Sequence, residues 1–335
     1  QIQRRHEVMN APLIDSFGRQ LNYLRFAVTD RCNLRCKYCM PEEGIDWIQR
    51  DSIADKTECL RMLRIFHHCG IKKVRFTGGE PFMRADFVEI LERVSSEKLF
   101  ESVHLTTNGT LCGDPIQNLP KGSISGVNLS IDSLEPENYF SITRRNSLAK
   151  VLNCLEILLS KGIPVKVNMV VLQGCNTHEI IPMAELAKFH PIEVRFIEEM
   201  PFNGTGKYAP TTWNYRKILN ELESHYDALS PLPFRFGETA QRYKVNGHAG
   251  FLGIIAAWSR NFCGQCNRVR LTPSGHLRTC LYAKSGLSIL NEIRAGKSDN
   301  EIITMISSAI QQKHIDGFAA EKEELKHLSM AHIGG

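Results

Sequence analysis

The sequence predicts an α/β fold built on a parallel sheet, followed by a smaller β-rich region. Two observations predict it. In the first two-thirds of the 335 residues, short β-rich runs alternate with segments of helical periodicity, and this rhythm changes after about Tyr226. Six strands that alternate with helices imply a parallel sheet, either flat or rolled into a barrel. The length suits about two domains, although a single α/β barrel could also fill it.

The six strands of the first region are predicted from their β-branched and apolar runs. They are Leu24–Val28, Lys73–Phe76, Val103–Thr106, Val127–Ile131, Val165–Val171 and Glu193–Ile197. Apolar residues at helical spacing predict the intervening helices. These are Thr57–His68, Asp86–Val94, Asn146–Ser160 and Thr177–His190.

Polar or small residues follow most of these strands directly. They are Thr29–Cys32, Thr77–Pro81, Thr106–Gly109, Ser130–Asp132 and Glu198–Met200. Ligands of parallel α/β folds bind at the C-terminal ends of the strands. The sequence therefore predicts an active site at this edge.

The C-terminal region begins near Ser230-Pro231-Leu232-Pro233, which marks a boundary. Its predicted elements are the strands Arg242–Val245, Phe251–Ala257, Val269–Leu271 and Leu277–Leu281, then the helices Ile289–Arg294 and Glu301–Gln312. We therefore predict two domains, at 15–228 and 229–335.

Composition narrows the class of protein. The net charge of +5 suits an anionic small molecule and is too small to indicate a nucleic-acid partner. No apolar run approaches the roughly 18 residues of a membrane span. The first residues lack the apolar core of a signal peptide, so we expect a cytoplasmic protein. Metal-binding or catalytic roles are then a better expectation for the cysteines than a disulfide framework.

Six of the eleven cysteines form two trios. One is Cys32-x3-Cys36-x2-Cys39, on a loop after the first strand, and the other is Cys263-x2-Cys266-x13-Cys280. Three thiolates can hold three corners of a four-iron cluster and leave one iron open for a ligand. Structural zinc remains an alternative for both trios, with His276 available as a fourth ligand for the second.

The other five cysteines lie mostly on apolar segments, and we expect them to be small buried side chains. They are Cys59, Cys69, Cys112, Cys154 and Cys175.

Two motifs together resemble the signatures of the radical S-adenosylmethionine (SAM) family. Tyr38 completes the pattern Cys-x3-Cys-x-Tyr-Cys, and Gly78-Gly79-Glu80-Pro81 follows the second strand. Further collinear motifs resemble the radical SAM lyases that act on GTP at the first step of molybdenum cofactor biosynthesis. They are Asp15–Arg19, Leu105–Gly109, Asn128–Asp132, Arg195–Met200, Phe262–Leu271 and Ile333–Gly335.

The resemblance implies an incomplete (β/α)6 barrel closed by the C-terminal extension, two [4Fe-4S] clusters and SAM as a cofactor. SAM would bind the open iron of the first cluster and yield a 5′-deoxyadenosyl radical. That radical would remove hydrogen from the ribose C3′ of GTP, and the carbon radical would attack C8. The open iron of the second cluster would hold the guanine. The residues implied to bind SAM are Tyr38, Gly79, Ser130 and Met200.

The resemblance also implies a set of GTP-binding residues. They are Arg25, Arg75, Thr106, Lys166, Arg195, Arg268, Val269 and Arg270. Physical chemistry supports the basic members of this set. A buried triphosphate must be neutralised, and the guanidinium fork suits phosphate oxygens. Arg268 and Arg270 alternate along a strand and therefore face the same side. By contrast, we expect Lys72-Lys73 to be a solvated entry to a strand.

The terminal Gly334 and Gly335 are implied to form a tail that reaches into the cavity. The implied partners are a flavodoxin- or ferredoxin-like electron donor and the cyclic pyranopterin monophosphate synthase, which would receive the product. A homodimer is left open, and neither nucleic acid nor a membrane is expected.

Two other functions are alternatives to a radical SAM lyase that acts on GTP. A radical SAM peptide-modifying enzyme with an auxiliary cluster usually has more C-terminal cysteines and does not need six phosphate-directed cations. A zinc-stapled nucleic-acid-binding protein would need an exposed basic and aromatic surface, which 8% aromatic residues and a pI near 8.6 support weakly.

Overall fold

The fold is organised by one long sheet. The computed structural model describes residues 12–206, 212–260, 262–321 and 328–334. The strands are β1 (Leu13–Ile14), β2 (Gln20–Leu21), β3 (Tyr23–Ala27), β4 (Lys73–Thr77), β5 (Ser102–Thr107), β6 (Gly126–Ser130), β7 (Val165–Val171), β8 (Glu193–Glu198), β9 (Leu229–Pro231), β10 (Gln241–Val245), β11 (Phe251–Ile255), β12 (Arg268–Leu271) and β13 (Leu277–Arg278). The helices are α1 (Lys56–His68), α2 (Phe87–Ser96), α3 (Gly113–Asn118), α4 (Pro136–Thr143), α5 (Leu148–Ser160), α6 (Ile180–Phe189), α7 (Tyr215–His225), α8 (Ile289–Arg294), α9 (Asp299–Gln311), α10 (Gly317–Ala320) and α11 (Met330–Ile333).

Strands β3 to β8 lie side by side in chain order and are all parallel. They are the six strands predicted from the sequence, each within one residue at either end. The sequential order follows from the helical crossovers between them, which return the chain to the same edge for each new strand. The prediction of a parallel α/β sheet is therefore confirmed.

The C-terminal region extends this sheet at both of its edges. Strand β11 pairs in parallel with β8, and β12 pairs in parallel with β3. The full order is β13-β12-β3-β4-β5-β6-β7-β8-β11-β10-β9, and β1 and β2 form a separate hairpin. Two predicted strands end earlier than expected, at Ile255 and Arg278. The division into domains near residue 228 stays a prediction.

The two faces of the central strands differ in chemistry. In β7, the side chains of Val165, Val167, Met169 and Val171 are buried, while the residues between them are partly exposed. Side chains alternate across a strand, so one face carries the apolar residues and the other is free for polar ones. The apolar face joins the core formed with the helices. The opposite face borders the cavity described below.

Helix ends follow local sequence signals. Helix α1 begins at a capping box in which Asp55 accepts from the Glu58 amide and the Glu58 carboxylate accepts from Asp55, and α9 begins with the same arrangement at Ser298. The sequence does not predict α3, α4 or α7. The predicted helix Thr177–His190 divides into a short 3-10 turn and α6. Within the described ranges, no helix has the length and apolarity needed to cross a bilayer.

The structure contradicts the prediction of free thiols for two of the five scattered cysteines. Cys112 and Cys154 were expected as separate buried thiols, but they form a disulfide between the start of α3 and the middle of α5. Their Cα atoms are 6.5 Å apart although 42 residues separate them in the chain. That proximity arises from helix packing, which the sequence pattern does not reveal. Cys59 and Cys69 are free and buried, as predicted.

A buried carboxylate connects the end of β8 with the C-terminal region. Glu198 is fully buried and accepts hydrogen bonds from the Tyr215 amide at 2.6 Å, the Trp258 amide at 2.8 Å and the Ser259 amide at 2.7 Å. The Ser259 hydroxyl donates to it at 2.7 Å. Because the four donors surround one anion, their bonds are charge-assisted.

We predict that Glu198→Gln lowers the free energy of unfolding by about 3 kcal/mol, because the amide nitrogen would face donors and leave them unsatisfied. Chemical denaturation under anaerobic conditions measures this change. The matched control is Glu223→Gln on the exposed side of α7, which should shift stability by less than about 0.5 kcal/mol. Equal stabilities for the two variants would contradict the role given to Glu198.

Candidate active site

One cavity of about 460 Å³ lies against the polar face of the sheet. Residues of β3 to β8, β11 and β12 border it, and so do both cysteine trios. The structure thus brings together the two groups of cysteines that lie more than 220 residues apart in the sequence. Several of the polar groups predicted to follow the strands also line it, including Thr77–Gly79, Asn108 and Ser130.

The loop that carries the first trio lies directly against the Gly-Gly loop. The Gly79 amide donates to the Thr29 carbonyl at 2.8 Å, and the Glu80 amide donates to the Arg31 carbonyl at 2.7 Å. A Cβ atom on Gly78 would lie 2.3 Å from the Thr29 oxygen, and one on Gly79 would lie 2.2 Å from the Arg31 oxygen. The two loops can approach this closely only because both positions are glycine.

Glu80 fixes the second loop to the end of β5. Its fully buried carboxylate accepts from the Thr107 hydroxyl at 2.9 Å and from the Asn108 amide at 2.7 Å. Burial raises the pKa of Glu80 to about 7, and these hydrogen bonds limit the rise. Asn108 in turn donates from Nδ2 to the sulfur of Cys32 at 3.7 Å. Glu80 therefore helps to position a side chain that contacts a predicted cluster ligand.

The other side of the first trio is held by α4 and by the C-terminal segment. The Arg35 and Lys37 amides donate to carbonyls at the end of α4, each at 3.0 Å. The Arg144 guanidinium donates to the Arg35 carbonyl at 2.8 Å. The Ser329 hydroxyl donates to the Cys39 carbonyl at 2.7 Å. The cysteine loop is thus held by hydrogen bonds to the Gly-Gly loop, to the end of α4 and to the C-terminal segment.

The first trio has the donor chemistry that an iron–sulfur cluster requires. Cys32, Cys36 and Cys39 are all free thiols. Burial raises the pKa of Cys32 to about 12 and that of Cys39 to about 11, so bare thiols would stay protonated. Metal binding would deprotonate them. The amide of Leu34 already points at the Cys32 sulfur at 3.4 Å, as amides do toward cluster thiolates.

The second trio lies in a more basic environment. Burial raises the pKa of Cys266, but Lys313 and Arg268 outweigh it and the pKa is lowered overall. Burial raises the pKa of Cys263. His276 does not line the cavity, and its Nδ1 lies 3.0 Å from the Ser274 hydroxyl. This placement disfavours the zinc alternative in which His276 is the fourth ligand.

A belt of basic side chains borders the same cavity. All six cations expected from the sequence take part, and Lys73 joins them. The cation belt consists of Arg25, Lys73, Arg75, Lys166, Arg195, Arg268 and Arg270. Arg270, Arg25 and Arg75 lie directly opposite one another on the neighbouring strands β12, β3 and β4. Three guanidinium groups therefore lie abreast.

The charge of the belt is only partly compensated. Glu193 pairs with Lys166 at 2.9 Å and with Arg195 at 2.6 Å. Arg25 has a buried Nε with no hydrogen-bond partner among the residues that the structure describes. Burial, together with the neighbouring Arg270, holds the pKa of Arg25 well below its usual value. Buried cations in this arrangement favour a polyanionic ligand.

The sequence analysis missed several members of the cavity wall, among them Lys73, Tyr23 and His104. Lys72 is exposed as predicted, but Lys73 lines the cavity, and burial lowers its pKa to about 8. The Tyr23 hydroxyl accepts from Arg75 Nε at 2.6 Å. Burial raises the pKa of Tyr23, but Arg75, Arg25, Lys73 and Arg268 outweigh it and bring the pKa to about 7. Burial lowers the pKa of His104 to about 3, so that its ring is neutral. Residues Tyr23 and Lys73 each stand two positions before a predicted arginine, and that alternation could have identified them.

The residues expected to bind SAM also line the cavity. These are Tyr38, Gly79, Ser130 and Met200. The Tyr38 hydroxyl donates to Asp132 Oδ2 at 2.8 Å, and the Asp132 Oδ1 accepts from the Val170 amide at 2.9 Å. The tyrosine ring is thereby fixed between β6 and β7.

The remaining residues expected to bind GTP are Thr106 and Val269, and the terminal glycines are expected to reach the cavity. Thr106 lines the cavity, whereas Val269 is fully buried in the apolar core on the opposite face of β12, so only its backbone could serve a ligand. The Gly334 carbonyl accepts from Arg270 at 3.1 Å, and a Cβ atom there would lie 2.7 Å from that of Ala27. Gly335 lies outside the described residues.

Two family models match the chain. The Radical SAM superfamily model matches residues 26–187, and the model for the molybdenum cofactor synthesis C domain matches residues 192–318. Together they account for both cysteine trios. The matches confirm the resemblance drawn from the motifs.

Similar proteins carry names consistent with these models. The chain is 36% identical over 323 residues to the GTP 3′,8-cyclase of Clostridium perfringens, which covers 96% of this chain and 99% of that protein. It is 34% identical over 325 residues to the mitochondrial GTP 3′,8-cyclase of Arabidopsis thaliana, with 96% and 83% covered. It is 37% identical over 305 residues to human molybdenum cofactor biosynthesis protein 1, with 91% and 48% covered. The chain thus spans about half the length of that relative.

A solved structure shows a similar fold. Streptococcus suis SuiB aligns with a TM-score of 0.64 at 12% sequence identity, over 94% of this chain and 73% of that one. At this identity the likeness concerns the fold alone. The family models and the sequence relatives show that the chain belongs to the radical SAM superfamily, in the family of the GTP 3′,8-cyclases.

Proposed function

We propose that this chain is a GTP 3′,8-cyclase, a lyase that converts GTP into (8S)-3′,8-cyclo-7,8-dihydroguanosine 5′-triphosphate at the first step of molybdenum cofactor biosynthesis. The single observation that carries the proposal is the cavity, because the two cysteine trios and the cation belt border the same space. Relatives named GTP 3′,8-cyclase, matched over 83% and 99% of their length, support it.

The fold proposal is that β3 to β8 form an incomplete (β/α)6 barrel, which the C-terminal extension closes. Cavity-lining side chains come from the central strands and also from β11 and β12, the strands that the extension adds at the two edges. A curved sheet explains how residues from both edges reach one space.

The cofactor proposal assigns one [4Fe-4S] cluster to each trio, with SAM at the first. When bound, the first cluster and SAM would supply the radical chemistry for hydrogen removal at C3′ of the ribose. Tyr38, Gly79, Ser130 and Met200 would orient SAM. The glycine pair would serve SAM indirectly, by letting its loop pack against the cysteine loop and so placing the Gly79 backbone beside the first trio.

The cation belt would bind the triphosphate. The side chains Arg25, Arg75 and Arg270 present their guanidinium groups side by side, and Lys166 and Arg195 add two more cations whose positions Glu193 fixes. Thr106 would add a hydroxyl. The second trio would leave an iron corner for the guanine. Burial raises the pKa of Cys266 in this trio, but Lys313, Arg268 and Arg270 outweigh it and lower the pKa overall.

The C-terminal tail would complete the substrate site. Met330 and Ala331 line the cavity, and Arg270 donates to the Gly334 carbonyl. Because Gly334 and Gly335 have no side chains, they would allow the belt arginines to contact both the backbone of the tail and the phosphates.

The proposed partners are an electron donor of the flavodoxin or ferredoxin class and the cyclic pyranopterin monophosphate synthase. Reductive cleavage of SAM requires an external electron, which supports the first. The second would consume the cyclised nucleotide.

We predict that the anaerobically reconstituted protein holds about eight irons. With SAM and a strong reductant, it should release 5′-deoxyadenosine only when GTP is present. Cys32→Ala should abolish this release, whereas Cys263→Ala should keep the first cluster and lose ordered guanine binding. The control Cys175→Ala, a free cysteine outside the cavity, should behave as the unchanged protein. Zinc in place of iron and sulfide, or normal GTP turnover by Cys263→Ala, would contradict the proposal.

We predict that GTP binding weakens as the pH rises from 6.5 to 8.5. Tyr23, with a pKa of about 7, gains a negative charge over this range, and Lys73, with a pKa of about 8, loses a positive one. Both changes oppose a polyanion, so the dissociation constant should rise at least about fivefold. Anaerobic titration calorimetry measures it, and Tyr23→Phe should remove the part of the change centred near pH 7. A dissociation constant that stays level in both proteins would show that neither group faces the phosphates.

A further inference from the structure

Two asparagines on the cavity wall have no role in the binding scheme above. Asn128 on β6 and Asn168 on β7 both line the cavity and are half-buried. The Oδ1 atom of each is buried, and neither has a hydrogen-bond partner among the residues that the structure describes. A buried acceptor left unsatisfied costs free energy, so an atom of this kind at a ligand cavity indicates a donor on the ligand.

The strand register places these asparagines between the groups that bind the two proposed ligands. Asn128 lies opposite Thr106 on one side and Lys166 on the other. Asn168 lies opposite Ser130 and Arg195. Each asparagine therefore lies next to a member of the cation belt, and Asn168 also lies next to the proposed SAM residue Ser130.

The unpartnered carboxamide oxygen restricts which part of a nucleotide can satisfy it. Its oxygen accepts hydrogen bonds, so it cannot bond to ionised phosphate oxygens, which also only accept. A ribose hydroxyl can donate to that oxygen and accept from the amide nitrogen. The ribose is joined directly to the phosphates, so its hydroxyls are the donors closest to the belt.

We propose that Asn128 and Asn168 bind the ribose hydroxyl groups of the substrate nucleotide and make the enzyme selective for ribonucleotides. The inference rests on the proposed function, because it needs a nucleoside triphosphate in this cavity. The hydroxyl-bearing edge of the sugar then faces β6 and β7, where its C3′ is close to the Ser130 side of the cavity.

The test compares GTP with 2′,3′-dideoxy-GTP, which keeps the base and the phosphates but lacks both hydroxyls. Binding is measured by anaerobic titration calorimetry on the reconstituted protein without reductant, so that no turnover occurs. The unchanged protein should bind GTP at least about tenfold more tightly than the dideoxy analogue. In Asn128→Ala/Asn168→Ala, GTP affinity should fall to that of the analogue, whose own affinity should change less than about twofold.

The matched control is Asn138→Ala. This asparagine is outside the cavity, and its amide is already paired with the Cys175 carbonyl and the Glu179 carboxylate. It should keep the full preference for GTP. Iron content and thermal unfolding of each variant confirm that it is folded and loaded.

The outcomes separate this inference from the proposed function. Failure of the unchanged protein to bind either nucleotide would overturn the proposed function, and the inference with it. Tight binding of both nucleotides with equal affinity would overturn the ribose assignment alone. Equal weakening of both nucleotides in the double variant would also overturn it, because a general disturbance of the cavity would then explain the loss.

Discussion

The arginines that lie abreast on β12, β3 and β4 impose the main constraint on this protein. Arg270, Arg25 and Arg75 come together because three parallel strands are paired in register. The chain supplies no carboxylate to them among its described ion pairs, and uses the Tyr23 hydroxyl and two carbonyls as partners instead. A cavity wall with this much unpaired positive charge is stable with a polyanion on it. The proposal of a polyphosphate ligand follows from that imbalance.

A second constraint holds the end of the cavity that carries Cys32, Cys36 and Cys39 in place. The cysteine loop and the Gly-Gly loop approach so closely that either glycine Cβ would collide with a carbonyl oxygen. Glu80 in the Gly-Gly loop accepts a hydrogen bond from the Asn108 amide, and the Asn108 side chain donates one to the sulfur of Cys32. The position of the first cysteine trio is thus fixed by backbone contacts between the loops that follow β3 and β4, the strands that carry Arg25 and Arg75. The residues proposed to bind phosphate and those proposed to hold the cluster therefore share one framework.

The sequence predicts the central sheet well because its strands have a strong local pattern, as in Val165–Val171, whose bounds agree fully. It also identifies both cysteine trios and six of the seven belt cations. It fails where the outcome depends on tertiary packing. The pairing of Cys112 with Cys154, the burial of Lys73 and the placement of β11 and β12 at opposite edges are set by contacts between distant segments. Val269 was included by resemblance, but alternation along β12 turns it into the core.

The central claim is that unpaired positive charge in the cavity selects a polyphosphate ligand. The most direct test is a ladder of dissociation constants for guanosine, GMP, GDP and GTP on the reconstituted protein at fixed pH and salt. Each added phosphate should tighten binding, and the gain should shrink in Arg25→Leu, which removes a belt cation with a buried, unpartnered nitrogen. Guanosine binding as tightly as GTP would contradict the claim.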